Sequence, residues 1–308
     1  MNEPKVLILV GPTAVGKTAL SLDLAEQLNG EIVSADSRQV YKFMDIGTAK
    51  PTPEELERIP HYFIDIRSPD QLYSAGEYGR DARDVIGTLL SKSITPLVVG
   101  GSGFYIRALV DGLFAPQVTD PEIKEQWRQR IKREGKEQVF AILQSVDAET
   151  AARLHINDTQ RVVRALEVWE LTGKPISEFR QGEETPASFI PLFFGLNRKR
   201  DVLYARIEQR VDDMISEGLV AEVEKLLHMG YGPQHNALRT VGYREVFDYF
   251  DGRVDYETMI DTIKQNTRRY AKRQLTWFRK DERIFWMDPG EQSHDFIVET
   301  ILNQLNRY

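Results

Sequence analysis

The 308-residue chain contains no cysteine, which excludes disulfides, thiolate metal sites and a Cys-containing zinc finger and agrees with a cytoplasmic enzyme. Long apolar runs are also missing. The longest, such as Ile94-Thr-Pro-Leu-Val-Val99, fall far short of the roughly 20 residues of a membrane span, so no membrane role is expected. The N-terminal residues enter an apolar strand almost at once, without the basic, apolar and small-residue order of a secretory signal. There is no internal repeat and no low-complexity tract. A net charge of −7 argues against indiscriminate coating of nucleic acid, but the charge is distributed unevenly and local clusters must decide. With 41% hydrophobic residues, the chain can bury the core of one large or two ordinary domains.

Residues 11 to 18 read Gly11-Pro12-Thr13-Ala14-Val15-Gly16-Lys17-Thr18, a full phosphate-binding loop between the apolar run Lys5 to Val10 and a helical stretch from Ala19 to Ala25. Glycines let the backbone fold tightly enough to aim amide N–H groups at a diphosphate. Lys17 supplies a mobile cation, and the Thr18 hydroxyl can ligate Mg²⁺. The motif leaves open which phosphate compound it holds.

Strand-like runs at Val6 to Val10, Glu31 to Ser34 and Pro96 to Val99 alternate with helical ones, the composition of buried parallel βαβ units. From Asp120 the pattern turns helical. Asp120-Pro121-Glu122 is a start signal, Ile123, Trp127 and Ile131 follow at helical spacing, and Gly135 stops the run. Val139, Phe140, Leu143 and Val146 form a second apolar face, and Arg161 to Leu171 a third, closed by Gly173 and Pro175. Gln181 to Pro186 reads as a loop and Phe189 to Leu196 as a returning strand. The expected fold is α/β, a P-loop NTPase-like parallel sheet flanked by helices and built from residues 1–119 and 191–308, with an all-helical insertion domain at 120–190.

In a parallel sheet the end of the second strand, Ser34-Ala-Asp36-Ser37-Arg38-Gln39, lies at the carboxyl edge beside the phosphate loop. Asp36 is a candidate base there; a helix N-cap and an outer Mg²⁺ contact are equally open readings. A later strand ends in Gly100-Gly-Ser102-Gly103, which brings a hydroxyl to the same edge but no Asp to hold Mg²⁺ for a hydrolysed nucleotide. That weakens an ATPase reading, although Asp65 could substitute. Arg206 and Arg210 stand at i, i+4 beside an apolar face of Leu203, Ile207, Val211 and Met214. Either an anion lies between the two arginines or carboxylates on a solvated face pair with them.

The segment Thr267 to Lys280 carries six basic residues, no acid and interleaved aromatics. That composition suits phosphates and unpaired bases, and also an amphipathic helix whose Trp277 and Phe278 are core. Gln160 to Arg164 and Leu238 to Arg244 are two further basic clusters. Three such clusters on an acidic chain favour a specific nucleic-acid partner.

Together these segments resemble the bacterial tRNA dimethylallyltransferases, nearly end to end. The resemblance rests on residues 11–18, Ser34 to Tyr41, Asp45-Ile-Gly-Thr-Ala-Lys50, His61 to Ile66, Val99 to Tyr105, Gln160 to Glu167, Val241 to Glu245 and Lys272 to Trp277. It implies transfer of a dimethylallyl group from dimethylallyl diphosphate to N6 of the adenine 3′ of the anticodon, with Mg²⁺ required and diphosphate released. By that resemblance Asp36, Ser102 and Lys17 are catalytic. Gly11 to Thr18 with Arg206 and Arg210 hold diphosphate, and Thr18 binds the metal. The tRNA anticodon stem-loop is met by Asp36, Ser37, Arg38, Gln39 and Ser102, and in the insertion by Lys124, Gln160, Arg161, Val162, Val163 and Arg164. Arg239, Gly242, Tyr243, Arg244, Lys272, Arg273, Gln274, Trp277 and Arg279 complete that surface. A cytoplasmic monomer is expected. Ser102 stands where the family often has Thr, and Tyr62 where it often has a second His, so no role falls to an imidazole there. The main rival is a P-loop small-molecule or nucleoside kinase, which needs no RNA surface. An RNA-binding module with a structural nucleotide loop is another. An Asp-rich prenyl-chain synthase fails because Asp212-Asp213 lacks its third aspartate: position 216 is Ser.

Overall fold

The computed structural model describes residues 3–113, 118–179 and 186–307. Strand β1 (Lys5–Val10) is buried at every position after the first, which is why it reads as an unbroken apolar run rather than an alternating one. It is followed by α1 (Lys17–Gln27), β2 (Gly30–Ala35), α2 (Pro53–Arg58), β3 (His61–Tyr62), α3 (Ala75–Ser91), β4 (Thr95–Gly100) and α4 (Gly103–Val110). The chain later returns through β5 (Ile190–Leu196) to complete a parallel sheet. With β6 (Phe285–Met287) the order is β3-β2-β4-β1-β5-β6. Ile8 is opposite Val98 on β4 and Phe193 on β5, so the phosphate loop leaves the centre of the sheet.

Gly11 opens that loop with φ +149°, and a Cβ on it would lie 2.7 Å from the Leu196 carbonyl oxygen, so only glycine lets the loop pass this close to β5. Gly16 caps α1 with φ +113° and no side-chain cap. The first-turn amides of α1 therefore keep their capacity for a ligand.

Two compact units emerge, residues 1–110 with 187–308 and residues 111–186. The division falls at 110/111 and 186/187 rather than at 119/120 and 190/191. The reason is local: Ala187 N–H donates to the Val110 carbonyl (2.9 Å), and Phe189, just before β5, is already buried. The second unit holds α5 (Pro121–Glu134), α6 (Lys136–Val146), α7 (Ala148–Arg153), α8 (Thr159–Thr172) and α9 (Ile176–Phe179). Its own core includes Trp127, Val139, Leu143 and Leu166. The start signal works as read: Asp120 accepts from the Glu122 and Ile123 amides, and Pro121 takes the first helical position. Of the loop expected at 181–186, residues 181–185 lie outside the described residues.

Glu167 is buried without exposed surface in this unit, accepting from Thr119 Oγ1, the Asp120 amide and Arg164 Nη1 at 2.7–2.8 Å. Burial pushes its pKa up, but Arg164, the Asp120 amide and Thr119 outweigh that and hold the carboxyl below its ordinary value. Removing it takes the buried carboxylate away from Arg164 and Lys124, which keep neutral acceptors such as the Val118 carbonyl and the Thr119 hydroxyl. Glu167→Ala is expected to cost about 3 kcal/mol in urea melts followed by tryptophan fluorescence. The wild-type contribution is complete above the unfolded carboxylate range, near pH 4.3, and is lost as pH falls through the lower folded value.

The first unit continues with α10 (Arg200–Glu217), α11 (Leu219–His228), α12 (Tyr243–Phe250), α13 (Tyr256–Phe278) and α14 (His294–Arg307). Helix α13 starts on an Asp255 cap and packs along α10, where Lys264 and Arg268 pair with Asp212 and Glu208. Arg268 is thereby committed to the protein rather than left to a phosphate.

Candidate active site

A cleft of about 390 Å³ opens at the carboxyl ends of β1, β2 and β4, where a doubly wound sheet places its ligands. The phosphate loop forms one wall. Lys17 Nζ folds back onto the Gly11 and Pro12 carbonyls (3.0 and 2.8 Å). Arg206 Nε donates to the Ala14 carbonyl (2.8 Å), and Arg210 Nη1 to the Thr13 hydroxyl (3.0 Å). Both arginines thus come to the loop from α10, and of the two readings open at the sequence level it is the anion-facing one that this geometry favours. Arg198, just past β5, donates from Nε to the Val15 carbonyl (3.0 Å). It was not singled out from the sequence, although its position at the carboxyl end of a strand beside β1 was the available signal.

Four cations around one loop repel one another. Burial and then Arg210 push the Lys17 ammonium down to about 7, against the attraction of Asp36. Burial and then Arg206 lower both Arg198 and Arg210. This is a site short of negative charge. An anion that fills it restores the Lys17 proton. Above pH 7, diphosphate binding is therefore expected to take up close to one proton, and affinity to fall by up to about tenfold per pH unit. Calorimetry at pH 8 in buffers of different ionisation heat checks this; Lys17→Arg, always charged, should show no uptake.

Asp36 follows β2 on the opposite wall. Its Oδ1 accepts from the Arg38 amide (2.8 Å) and caps the 36–39 turn, while Oδ2 makes no hydrogen bond among the described residues. The capped element is a turn and not a helix, and the cap uses one oxygen only, which leaves the base reading open for the other. Ser102 Oγ accepts from the Ser37 amide (3.0 Å), tying the β4 turn to the β2 turn, and the Tyr270 phenol contacts the same hydroxyl. Burial, then Asp36, raises the Tyr270 pKa, so the phenol stays neutral. Tyr270 was also missed; the signal was the 263, 267, 270, 274 spacing, the face of α13 that lines the cleft. Gln39 donates from Nε2 to the Thr48 and Ala49 carbonyls, and its Oε1 accepts from the Ser34 hydroxyl (3.3 Å). Arg38 Nη1 is held by the Asn236 and Ala237 carbonyls.

The loop bearing the Thr48 and Ala49 carbonyls that hold Gln39 is fixed by Glu222 on α11. Its carboxylate accepts from the Asp45, Ile46 and Gly47 amides (2.8, 2.8 and 3.2 Å) and from the Tyr243 hydroxyl (2.6 Å). Tyr243 is therefore core, and Val162, Val163 and Gln274 are buried as well. Of these four side chains only that of Gln274 lines the cleft, because motif membership records proximity and not exposure. Gly242 is buried too. Arg164 and Lys124 bond to Glu167. Asp65, the proposed substitute carboxylate, is paired with Lys50 and lines no part of the cleft. Gln160, Arg161, Arg239, Arg244, Lys272, Arg273, Trp277 and Arg279 are exposed, with Trp277 edge-on to the exposed Phe104. Among the described residues no group of three or more His, Asp or Glu could hold a metal ion, and no helix is long and apolar enough to cross a membrane.

A phosphate loop at the end of a central parallel strand, facing an unspent carboxylate oxygen across a cleft, defines a P-loop protein built for group transfer. A family model described as IPP transferase matches residues 39–281, and the tRNA dimethylallyltransferase of Carboxydothermus hydrogenoformans is 45% identical over 302 residues, 97% of each chain. The chain belongs to the IPP transferase family. The tRNA dimethylallyltransferase of Geobacillus thermodenitrificans is 46% identical across 92% of this chain and 90% of its own. The crystal structure of the full-length tRNA isopentenylpyrophosphate transferase of Bacillus halodurans has a TM-score of 0.73 at 38% identity, covering 99% of this chain and 98% of that one. A eukaryotic dimethylallyltransferase acting on tRNA has a TM-score of 0.83 at 26% identity, covering 99% of this chain and 80% of that chain.

Proposed function

We propose that the protein prenylates tRNA, transferring a dimethylallyl group from dimethylallyl diphosphate to N6 of the adenine 3′ of the anticodon. The observation that carries this reading is the cleft with a cationic, anion-deficient loop on one wall and Asp36 Oδ2 on the other. Adenine N6 is a poor nucleophile, its lone pair delocalised into the ring. A carboxylate that accepts its proton as the C–N bond forms assists the step. Charge on the departing diphosphate is met by Lys17, the α1 amides, Arg206 and Arg210. Ser102 and Tyr270 hold the Asp36 turn in place. A target base reaches such a cleft only when turned out of its stack.

The donor set suits Mg²⁺ carried largely by the substrate's own phosphates and water, with the Thr18 hydroxyl as protein ligand. Mg²⁺ keeps several waters and needs no carboxylate cage. When bound it neutralises diphosphate charge. The helical unit, through Gln160 and Arg161, and the exposed Lys272, Arg273 and Arg279 supply contacts to the anticodon arm. The chain acts as a cytoplasmic monomer in this reading.

The test is incubation with unmodified tRNA transcript and either labelled dimethylallyl diphosphate or labelled ATP. Label is expected in the RNA from the allylic diphosphate only. Label from ATP alone would replace this reading with the kinase one.

A further inference from the structure

Gln274 is 7% exposed and sits on the cleft face of α13. Its Oε1 accepts the Thr13 amide hydrogen (2.9 Å), and its Nε2 donates to the Gly101 carbonyl (3.0 Å). A Cβ on residue 101 would lie 2.2 Å from that nitrogen, so the glycine there makes room for this amide. Thr13 is held at its other end by Arg210. The Thr13 amide is thus spent inside the protein and cannot belong to the phosphate cradle, which falls to the Gly16 to Thr18 end of the loop.

We propose that Gln274 is a positioning residue for diphosphate: it fastens the phosphate loop of β1 to the glycine turn of β4 and so sets the loop's distance from the Asp36 wall. The proposal rests on the reading of this loop as a diphosphate site. The position demands one acceptor and one donor on the same planar group. An uncharged amide, or a protonated carboxyl of the same shape, supplies both. An ionised carboxylate would accept from Thr13 and face the Gly101 carbonyl with a lone pair.

That asymmetry gives a test on the full chain. Binding of inorganic diphosphate with Mg²⁺ is measured by calorimetry between pH 6 and 8.5 for wild type, Gln274→Glu and Gln274→Met, together with tRNA affinity by filter binding. At pH 8 both variants should bind diphosphate about ten- to a hundredfold more weakly. The Gln274→Glu protein should recover most of the loss, relative to wild type, as pH falls to 6 and its carboxyl protonates in the buried site. Gln274→Met should not recover at any pH. Affinity for tRNA should stay within about threefold of wild type in both, since a loss of that size marks only a fraction of a kcal/mol. The acid recovery shows that the variant is folded and separates positioning from a general loss of structure. Variants that bind diphosphate as wild type does, or that lose tRNA affinity instead, overturn the proposal. A wild-type chain that does not bind diphosphate overturns the reading of the loop and the proposal with it.

Discussion

Asp36→Asn is expected to lower kcat by about 10²–10⁴ while KM for the diphosphate and affinity for tRNA stay near wild type. The substitution is clean because the two oxygens of Asp36 do different work. Oδ1 accepts the Arg38 amide hydrogen, and an asparagine oxygen takes over that bond, so the 36–39 turn is preserved. What disappears is the ability of the second position to receive a proton. In single-turnover assays with preformed complex, a drop confined to the chemical step supports the base role; kcat within threefold of wild type would leave Asp36 as a cap alone.

Arg210→Ala should cost about 10²–10³ in kcat/KM for dimethylallyl diphosphate, some 3–4 kcal/mol of transition-state stabilisation. Arg210 reaches the loop from α10 and donates to the Thr13 hydroxyl; burial and Arg206 outweigh the attraction of Asp213, Asp36 and Glu217 there. Alanine removes both the cation and the fork that spaces it. Arg210→Lys should restore only part of the loss, because a point charge cannot hold the hydroxyl and an anion with the same planar geometry. The effect should also run through Lys17: with Arg210 gone, its repulsion is relieved and the Lys17 pKa should rise from about 7. Proton uptake on diphosphate binding at pH 8 should then shrink, which calorimetry reads independently of turnover.

The phosphate loop, the three central strands and the helix starts were legible because each is a local pattern: a glycine spacing, an unbroken apolar run, a cap followed by proline. Asp36 and Ser102 were legible from one topological rule, that the ends of parallel strands share an edge. Arg198, Tyr270 and Glu222 were not, because their partners lie on other elements and depend on tertiary register. Arg198 meets Val15, and Glu222 meets the 45–47 amides. Basic clusters were legible as clusters but not as surfaces. Arg268, Arg164 and Lys124 answer to Glu208 and Glu167, and the covered positions at Val162, Val163, Tyr243 and Gln274 belong to the packing. The first helix signal, at Asp120, marks the start of α5 and not the point at which the chain divides into units, which follows Val110 and carries no local pattern.

That departure point has a bearing on how the molecule assembles. Lys5 must find Ile190 for β1 to pair with β5, a search across more than half the chain. The helical unit contains its own apolar centre, and the chain before and after it is joined within the first unit by the Ala187 to Val110 hydrogen bond. If it condenses first, the loop to be closed shortens by the whole of residues 111–186, and the entropy of bringing the two strands together falls with it. Pulse-labelling hydrogen exchange should then protect amides in 121–172 before those of β5, with the phosphate loop acquiring its final shape last, since its start is pressed against Leu196.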